Sequence, residues 1–332
     1  MRKHIALLFT LLVFFGCQDK PCAIDPAIAR LPVDIKLDRL EKPFYQARSK
    51  QVVQEFLRRN QEFARQYLQV NQYPDQQTTV NSLFQLATEP NLKKFAGEVQ
   101  NKFGDMGDVE QELENAYKHL RHYYPAVPVP EVKTFISGML GPDLYVSDSL
   151  VVLGIDYFAG KGVSYRPQQP AYILRRYEKP FMVPAVVLQL SGKYNQTNPR
   201  NRTMLDQMVD FGKSFYFTQR MMPCTADSLI IGYTDQQMAD IQYNEGKIWA
   251  HFVEKELLYE TNHFKVNKYI GERPNIPEIG KQCPGRVATW VGWQIVRKYM
   301  EEHPQVSLQQ LMEEKDAQKI FQQSKYKPRR NS

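Results

Sequence analysis

The chain has 332 residues, 42% of them hydrophobic and 24% charged, and a formal net charge of +7 at pH 7. That balance is globular and argues against a disordered chain. An excess this mild over this length does not argue for nucleic acid, and no later stretch approaches the roughly 18 uninterrupted apolar residues of a membrane-spanning helix.

The first residues carry the clearest signal. Arg2 and Lys3 form a positive start, Ile5 to Phe15 is apolar, and Phe14-Phe15-Gly16-Cys17 follows. The apolar run is too short to span a bilayer and reads as a secretory signal. A small residue before a Cys is what a lipoprotein signal peptidase requires. Residues 1–16 are therefore expected to be removed, with Cys17 as the lipidated N-terminus of an exported chain. Residues 17–33 read as a tether, because Pro21, Pro26 and Pro32 argue against helix. Residues 34–324 read as one globular α+β domain and 325–332 as a basic, disordered tail.

Along the domain, Asp34 to Leu40 alternates like a strand. Lys50–Leu68 has one apolar stripe and reads as a helix. Further helices are expected at Thr78–Ala87, from an Asn91 cap, and from an Asp108 cap to Pro125. The period then changes to two. Val132–Ser137, Leu144–Val146 and Leu150–Ile155 read as strands, the last two as a hairpin turning at Asp148-Ser149. Residues 160–183 are loop-like. Helices follow at Val183–Leu190, Arg202–Gln219, Thr234–Glu260, Gly285–Glu302 and Ser307–Gln323. Two open with capping boxes, Thr234/Gln237 and Ser307/Gln310. The expected fold is α+β and mostly helical, with a small antiparallel sheet packed against helices.

Three cysteines remain beyond Cys17: Cys22, Cys224 and Cys283. In an oxidising compartment a Cys224–Cys283 disulfide is expected, since each lies beside a proline in a loop, which leaves Cys22 over. His119 and His122 stand at i, i+3 but read as a polar face, and His251 and His263 have no His one turn away. There is no His-Glu-x-x-His, phosphate loop or Gly-x-Ser-x-Gly. Neither a metal nor a cofactor is expected.

A peptidase-like spacing does occur. Gluzincin peptidases place two His at i and i+4 on one helix, a Glu base beside the first, and a third ligand on a later helix. A sheet precedes helix 202–219 here, and Glu245-Gly246 lies about 30 residues beyond it. In that correspondence Asp210 and Ser214 fill the His positions, Phe211 the base position and Glu245 the later ligand. Such a set suits zinc poorly, and Phe211 cannot take a proton from water. The competing reading is that these are ordinary helix residues.

The sequence resembles the gliding-motility lipoprotein GldB family of Bacteroidetes over nearly the whole mature chain. The residues that carry the resemblance start with the lipobox at Cys17 and continue through Leu153-Gly-Ile-Asp-Tyr-Phe-Ala-Gly-Lys161 and the Tyr-rich loop Tyr165–Tyr177. Phe181-Met-Val-Pro184, Asn244-Glu-Gly-Lys247 and the segment from Pro284-Gly-Arg-Val to Val296 complete them. The resemblance implies a role in gliding motility, tied to the envelope machinery that also serves type IX secretion. It also implies a zincin-like scaffold without catalytic histidines.

The resulting expectation is a non-enzymatic lipoprotein, anchored on the periplasmic side of the inner or outer membrane, with envelope proteins as partners and no nucleic acid. A cleft between the sheet and helices 202–219 and 234–260 is expected to bind a partner segment. Trp249, Trp290, Trp293 and the Tyr-rich loop are either its lining or core aromatics, and the core role is favoured. Two alternatives stay open: a metallohydrolase using Asp210 and Glu245 with His251 or His263, and a glycan-binding lipoprotein using exposed aromatics.

Overall fold

A computed structural model describes residues 22–198 and 202–328. Cys17 and the signal segment lie outside the described residues.

The chain opens with a short helix, α1 (Pro26–Ala29), in the expected tether. Pro26 starts it rather than blocking it: a proline at the first helical position loses no hydrogen bond, and the Asp25 carboxylate accepts from Ala27 N. β1 (Leu37–Arg39) follows, then α2 (Glu41–Tyr45), α3 (Lys50–Arg59) and α4 (Gln61–Gln66). The single helix expected over Lys50–Leu68 is thus two. It breaks at Asn60, whose backbone leaves the helical region and whose amide donates to Phe56 O at 2.9 Å.

The helices α5 (Gln76–Thr88), α6 (Pro90–Phe103) and α7 (Gly107–Tyr123) come next. The caps differ from the expected ones. Glu89 caps α6, with Pro90 at its first position, while Asp108 lies inside the first turn of α7.

β2 (Glu131–Phe135), β3 (Leu144–Val146) and β4 (Leu150–Gly154) complete one sheet of order β1-β2-β4-β3. The β3–β4 hairpin is antiparallel as expected, but β1–β2 and β2–β4 are parallel. The sheet is mixed, which corrects the antiparallel expectation. All five residues of β4 are buried, so its unbroken apolar run is what a strand covered on both faces requires.

After the sheet come α8 (Ala171–Leu174) and α9 (Met182–Ser191). Next is α10 (Met204–Met221), opened by a Thr203/Asp206 capping box, then α11 (Asp227–Ile231). The long helix expected over Thr234–Glu260 is α12 (Asp235–Tyr243), α13 (Glu245–Glu254) and a 3₁₀ turn, Leu257–Tyr259. The chain ends with α14 (His263–Ile270), α15 (Val287–Glu302), α16 (Leu308–Glu313) and α17 (Ala317–Ser324). Both expected capping boxes are present, at Thr234/Gln237 and Ser307/Gln310. The α+β, mostly helical class stands.

One hydrophobic cluster runs from Val33 to Tyr326. Its centre in the C-terminal half is the α10–α15 crossing, where Gly212 and Gly292 face each other. A Cβ on Gly212 would stand 2.5 Å from Gly292 C and 2.8 Å from Trp293 N. Glycine at both positions lets the two backbones touch.

Two termini-related expectations are corrected. The disulfide joins Cys22 to Cys224, with Cα atoms 5.5 Å apart, and Cys283 is free and buried. Burial pushes the Cys283 thiol up to about 12, so it is inert at neutral pH. The tail is ordered through its first residues: Tyr326 is buried and packs edge-on against Trp249 at 5.1 Å. The tail residues 329–332 lie outside the described residues.

Candidate functional site

The peptidase-like positions fall on α10 and α13, and the side chains of Ser214 and Glu245 each have a hydrogen-bond partner. Asp210 and Ser214 lie one turn apart on α10. The Asn195 amide donates to Asp210 O at 2.8 Å and to Ser214 Oγ at 2.9 Å. Phe211 is 43% exposed and stacks on Phe215. Glu245, at the first position of α13, accepts from Tyr326 Oη at 2.8 Å. α13 packs mainly against the Leu257–Tyr259 turn rather than α10. Among the described residues, no three His, Cys, Asp or Glu stand together in metal-binding geometry.

The residue that α10 turns inward here is Lys213, which sequence reading passed over. Its ammonium is buried and donates to Gln196 O at 2.8 Å, Met312 O at 3.2 Å and Glu314 O at 2.7 Å. It joins the segment after α9 and the end of α16 to α10. Burial lowers it to about 8, against the attraction of Asp210 and Glu314. Burial likewise raises Asp210 to about 6, with Lys213 opposing.

The histidines are also accounted for. His119 is buried and its Nδ1 lies 2.8 Å from Asn115 O, whereas His122 points to solvent. His251 Nε2 pairs with Tyr269 Oη at 3.0 Å, and His263 opens α14. Trp290 and Trp293 are fully buried on α15 and Trp249 nearly so, which gives all three the core role.

The walls expected for the partner cleft, helices 202–219 and 234–260, are not those of the cavity at the sheet edge. A cavity of about 200 Å³ lies between Asp143-Leu144 at the sheet edge, Tyr177 of the Tyr-rich loop, α9, α11 and Arg286. α10 and α12–α13 do not line it. Arg175 donates to Gly232 O, Arg286 donates to Ile231 O, and Glu272 pairs with both Arg176 and Arg286. These arginines cap the last carbonyls of α11 and lock the Tyr-rich loop to the start of α15. That gives Tyr165–Tyr177 and Pro284–Val296 a shared structural role.

A second feature sits at the carboxyl ends of parallel β2 and β4, where ligands gather in parallel sheets. The loop Ser137–Pro142 leaves β2 there, and Asp156 follows β4. Asp156 Oδ2 accepts from Ser137 N at 3.1 Å, Ser137 Oγ at 3.3 Å and Met139 N at 2.8 Å. Ser137 Oγ in turn accepts from Leu140 N and Gly141 N. Three tyrosines hold the carbonyls. Tyr45 donates to Ile136 O, Tyr157 reaches Met139 O and Gly141 O, and Tyr67 donates to Pro142 O.

Four of the loop's N–H groups and three of its carbonyls therefore have a fixed partner. The network supports two consecutive left-handed residues, Gly138 (φ 69°) and Met139 (φ 62°). A non-glycine residue there costs about 1–2 kcal/mol, so the loop is held in a conformation it would not choose alone. It presents Leu140, 79% exposed, beside an apolar groove of about 440 Å³ lined by Tyr67, Tyr73, Leu83, Leu86 and Pro142.

Asp156 is buried and its Oδ1 has no partner. Burial raises its pKa to about 6, against the donors that lower it. The folded value lies above the unfolded one, near 3.8. Its stabilising contribution is therefore complete below about pH 4 and lost as pH rises through 6. Asp156→Asn should remove that dependence. The stability of wild type relative to the variant should rise by up to ~3 kcal/mol on going from pH 7 to pH 4. Urea midpoints at four pH values measure this, and parallel curves would refute it.

A family model described as "Gliding motility protein GldB" matches residues 21–328. The chain belongs to the GldB family. No curated protein and no solved structure matches it. As a GldB family member it is a gliding-motility-related protein, and the quoted sequence segments acquire places in the GldB fold. Leu153–Lys161 supplies β4's end and the Asp156 anchor of the β2 loop. Phe181–Pro184 starts α9, and Asn244–Lys247 is the α12–α13 junction. No helix among the described residues is long and apolar enough to cross a membrane.

Proposed function

We propose that this GldB family member is a lipoprotein, lipidated at Cys17 on the periplasmic side of the inner or outer membrane. It binds and assembles envelope partners of the gliding apparatus and the associated type IX secretion machinery, and it catalyses no reaction. The observation that carries this reading is the state of the peptidase-like positions. Ser214 Oγ is tied to Asn195, Phe211 has no proton to exchange, and Glu245 is held by Tyr326. The scaffold is read as a degenerate relative of secreted zinc peptidases whose former site has been filled by packing. Stoichiometric zinc in protein purified without chelator would overturn it.

We assign partner binding to Leu140 and its groove. A rigid loop, an exposed leucine and an apolar trough make a surface that gains from being covered. Leu140→Asp is expected to abolish spreading on agar when it replaces the wild-type chain in a gliding host. Its urea midpoint and membrane fraction should not change, since Leu140 contributes little to the core. Normal spreading by this variant would refute the assignment.

A further inference from the structure

The Cys22–Cys224 disulfide has a consequence for how the molecule meets the membrane. Only four residues lie between Cys17 and Cys22, and the five residue steps that join them reach at most about 18 Å fully extended. A domain of this length is roughly 50 Å across. A lipid-bearing Cys17 on so short a leash can reach the bilayer only if the part of the body carrying Cys224 is turned toward it. We infer that the surface around Cys22–Cys224 is the membrane-apposed face, with anionic lipid headgroups as its partner. This rests on the lipidation proposed for Cys17.

The chemistry of that face agrees. Cys22 and Cys224 are both exposed. Cys224 follows the C-terminal end of α10, and α1 seats Ile28 against α7. Arg30 at the end of α1 and Arg220 on the last turn of α10 are exposed there. Arg220 donates to Tyr123 Oη at 2.6 Å with its guanidinium 5.7 Å from that ring, a cation–aromatic pair of the kind favoured at lipid interfaces. Asp25, committed to capping α1, and Asp227, paired with Arg297, are the facing acids. The remaining positive charge favours anionic headgroups.

The opposite end of α10 gives the contrast. Met204 N donates to Glu260 O there, and Phe264 lies four residues on, 85% exposed. An 18-residue helix puts about 27 Å between the two ends.

The test uses the full lipidated chain in phosphatidylglycerol-containing vesicles, with a fluorescent amino acid at Ala226 or at Phe264 and headgroup-level nitroxide lipids as quencher. Quenching at Ala226 is expected to exceed that at Phe264 several-fold. Arg30→Glu/Arg220→Glu, or phosphatidylcholine alone, should narrow the gap. Cys22→Ser/Cys224→Ser should narrow it further by lengthening the leash. Equal quenching at the two positions, or more at Phe264, would overturn the orientation while leaving lipidation intact. Protein that fails to float with vesicles at all would overturn both.

Discussion

Gly292→Ala should destabilise the fold by about 3 kcal/mol or more. A Cβ on Gly292 would stand 2.9 Å from Met208 Cα and closer still to the Met208 carbonyl. The obstacle is backbone on the facing helix, so no rotamer change relieves it. α10 and α15 would have to separate, and Trp290 and Trp293 with Phe215 would lose their packing. The control is Gly97→Ala in α6, where nothing lies within 4 Å of the added carbon. There alanine should be neutral or stabilising by up to ~1 kcal/mol, because it removes the helix-interior cost of glycine. Urea unfolding followed by tryptophan fluorescence compares the two. Equal midpoints would contradict the close crossing.

The largest functional effect is expected from Cys17→Ser. Each buried CH₂ contributes roughly 0.8 kcal/mol to membrane attachment, and stable anchoring needs more than one chain or a second signal. The mild positive face at Cys22–Cys224 cannot replace acyl chains. Without the thiol neither acylation nor the Cys-dependent cleavage proceeds, so the variant should carry no acyl chain, keep residues 1–16, mislocalise and fail to support spreading. Incorporation of radiolabelled palmitate into the variant to the same extent as into wild type would contradict a lipid anchor at this residue.

Much of the helical framework was legible because its signals are local. Thr234/Gln237 and Ser307/Gln310 announce helix starts through side chains three residues apart, and both boxes form. The β3–β4 hairpin was legible for the same reason. What failed depended on distance. Leu150–Leu153 looks alike in a parallel or an antiparallel sheet, and only its burial on both faces decides. The break at Asn60 carries no proline or glycine to mark it, and the one at Asn244 only Gly246 two residues on; at both, an Asn hydrogen-bonds back to the preceding turn.

The disulfide was misassigned because proline-flanked loops are common, while Cys22 meets Cys224 across 202 residues. In the candidate site, Asp210, Ser214 and Glu245 were found as residues, yet their partners Asn195 and Tyr326 were invisible. Tyr326 stands among basic tail residues, and its burial comes from Trp249. Asp156 had a usable signal, an acid at the end of an apolar strand, that went unread because the sheet was expected to be antiparallel.

The central claim is that anchoring and binding, not catalysis, are the function. The direct measurement is spreading of a gliding host that lacks its own family member and carries the chain with Asp210→Ala and Glu245→Ala together. The double variant removes both carboxylates of the peptidase-like set while leaving Cys17 and Leu140 in place. Membrane fractionation and a urea midpoint establish that it is anchored and folded. Spreading equal to wild type is the result expected here. A folded, anchored double variant that cannot spread would show that the carboxylates act in the function, and the non-catalytic account would be wrong.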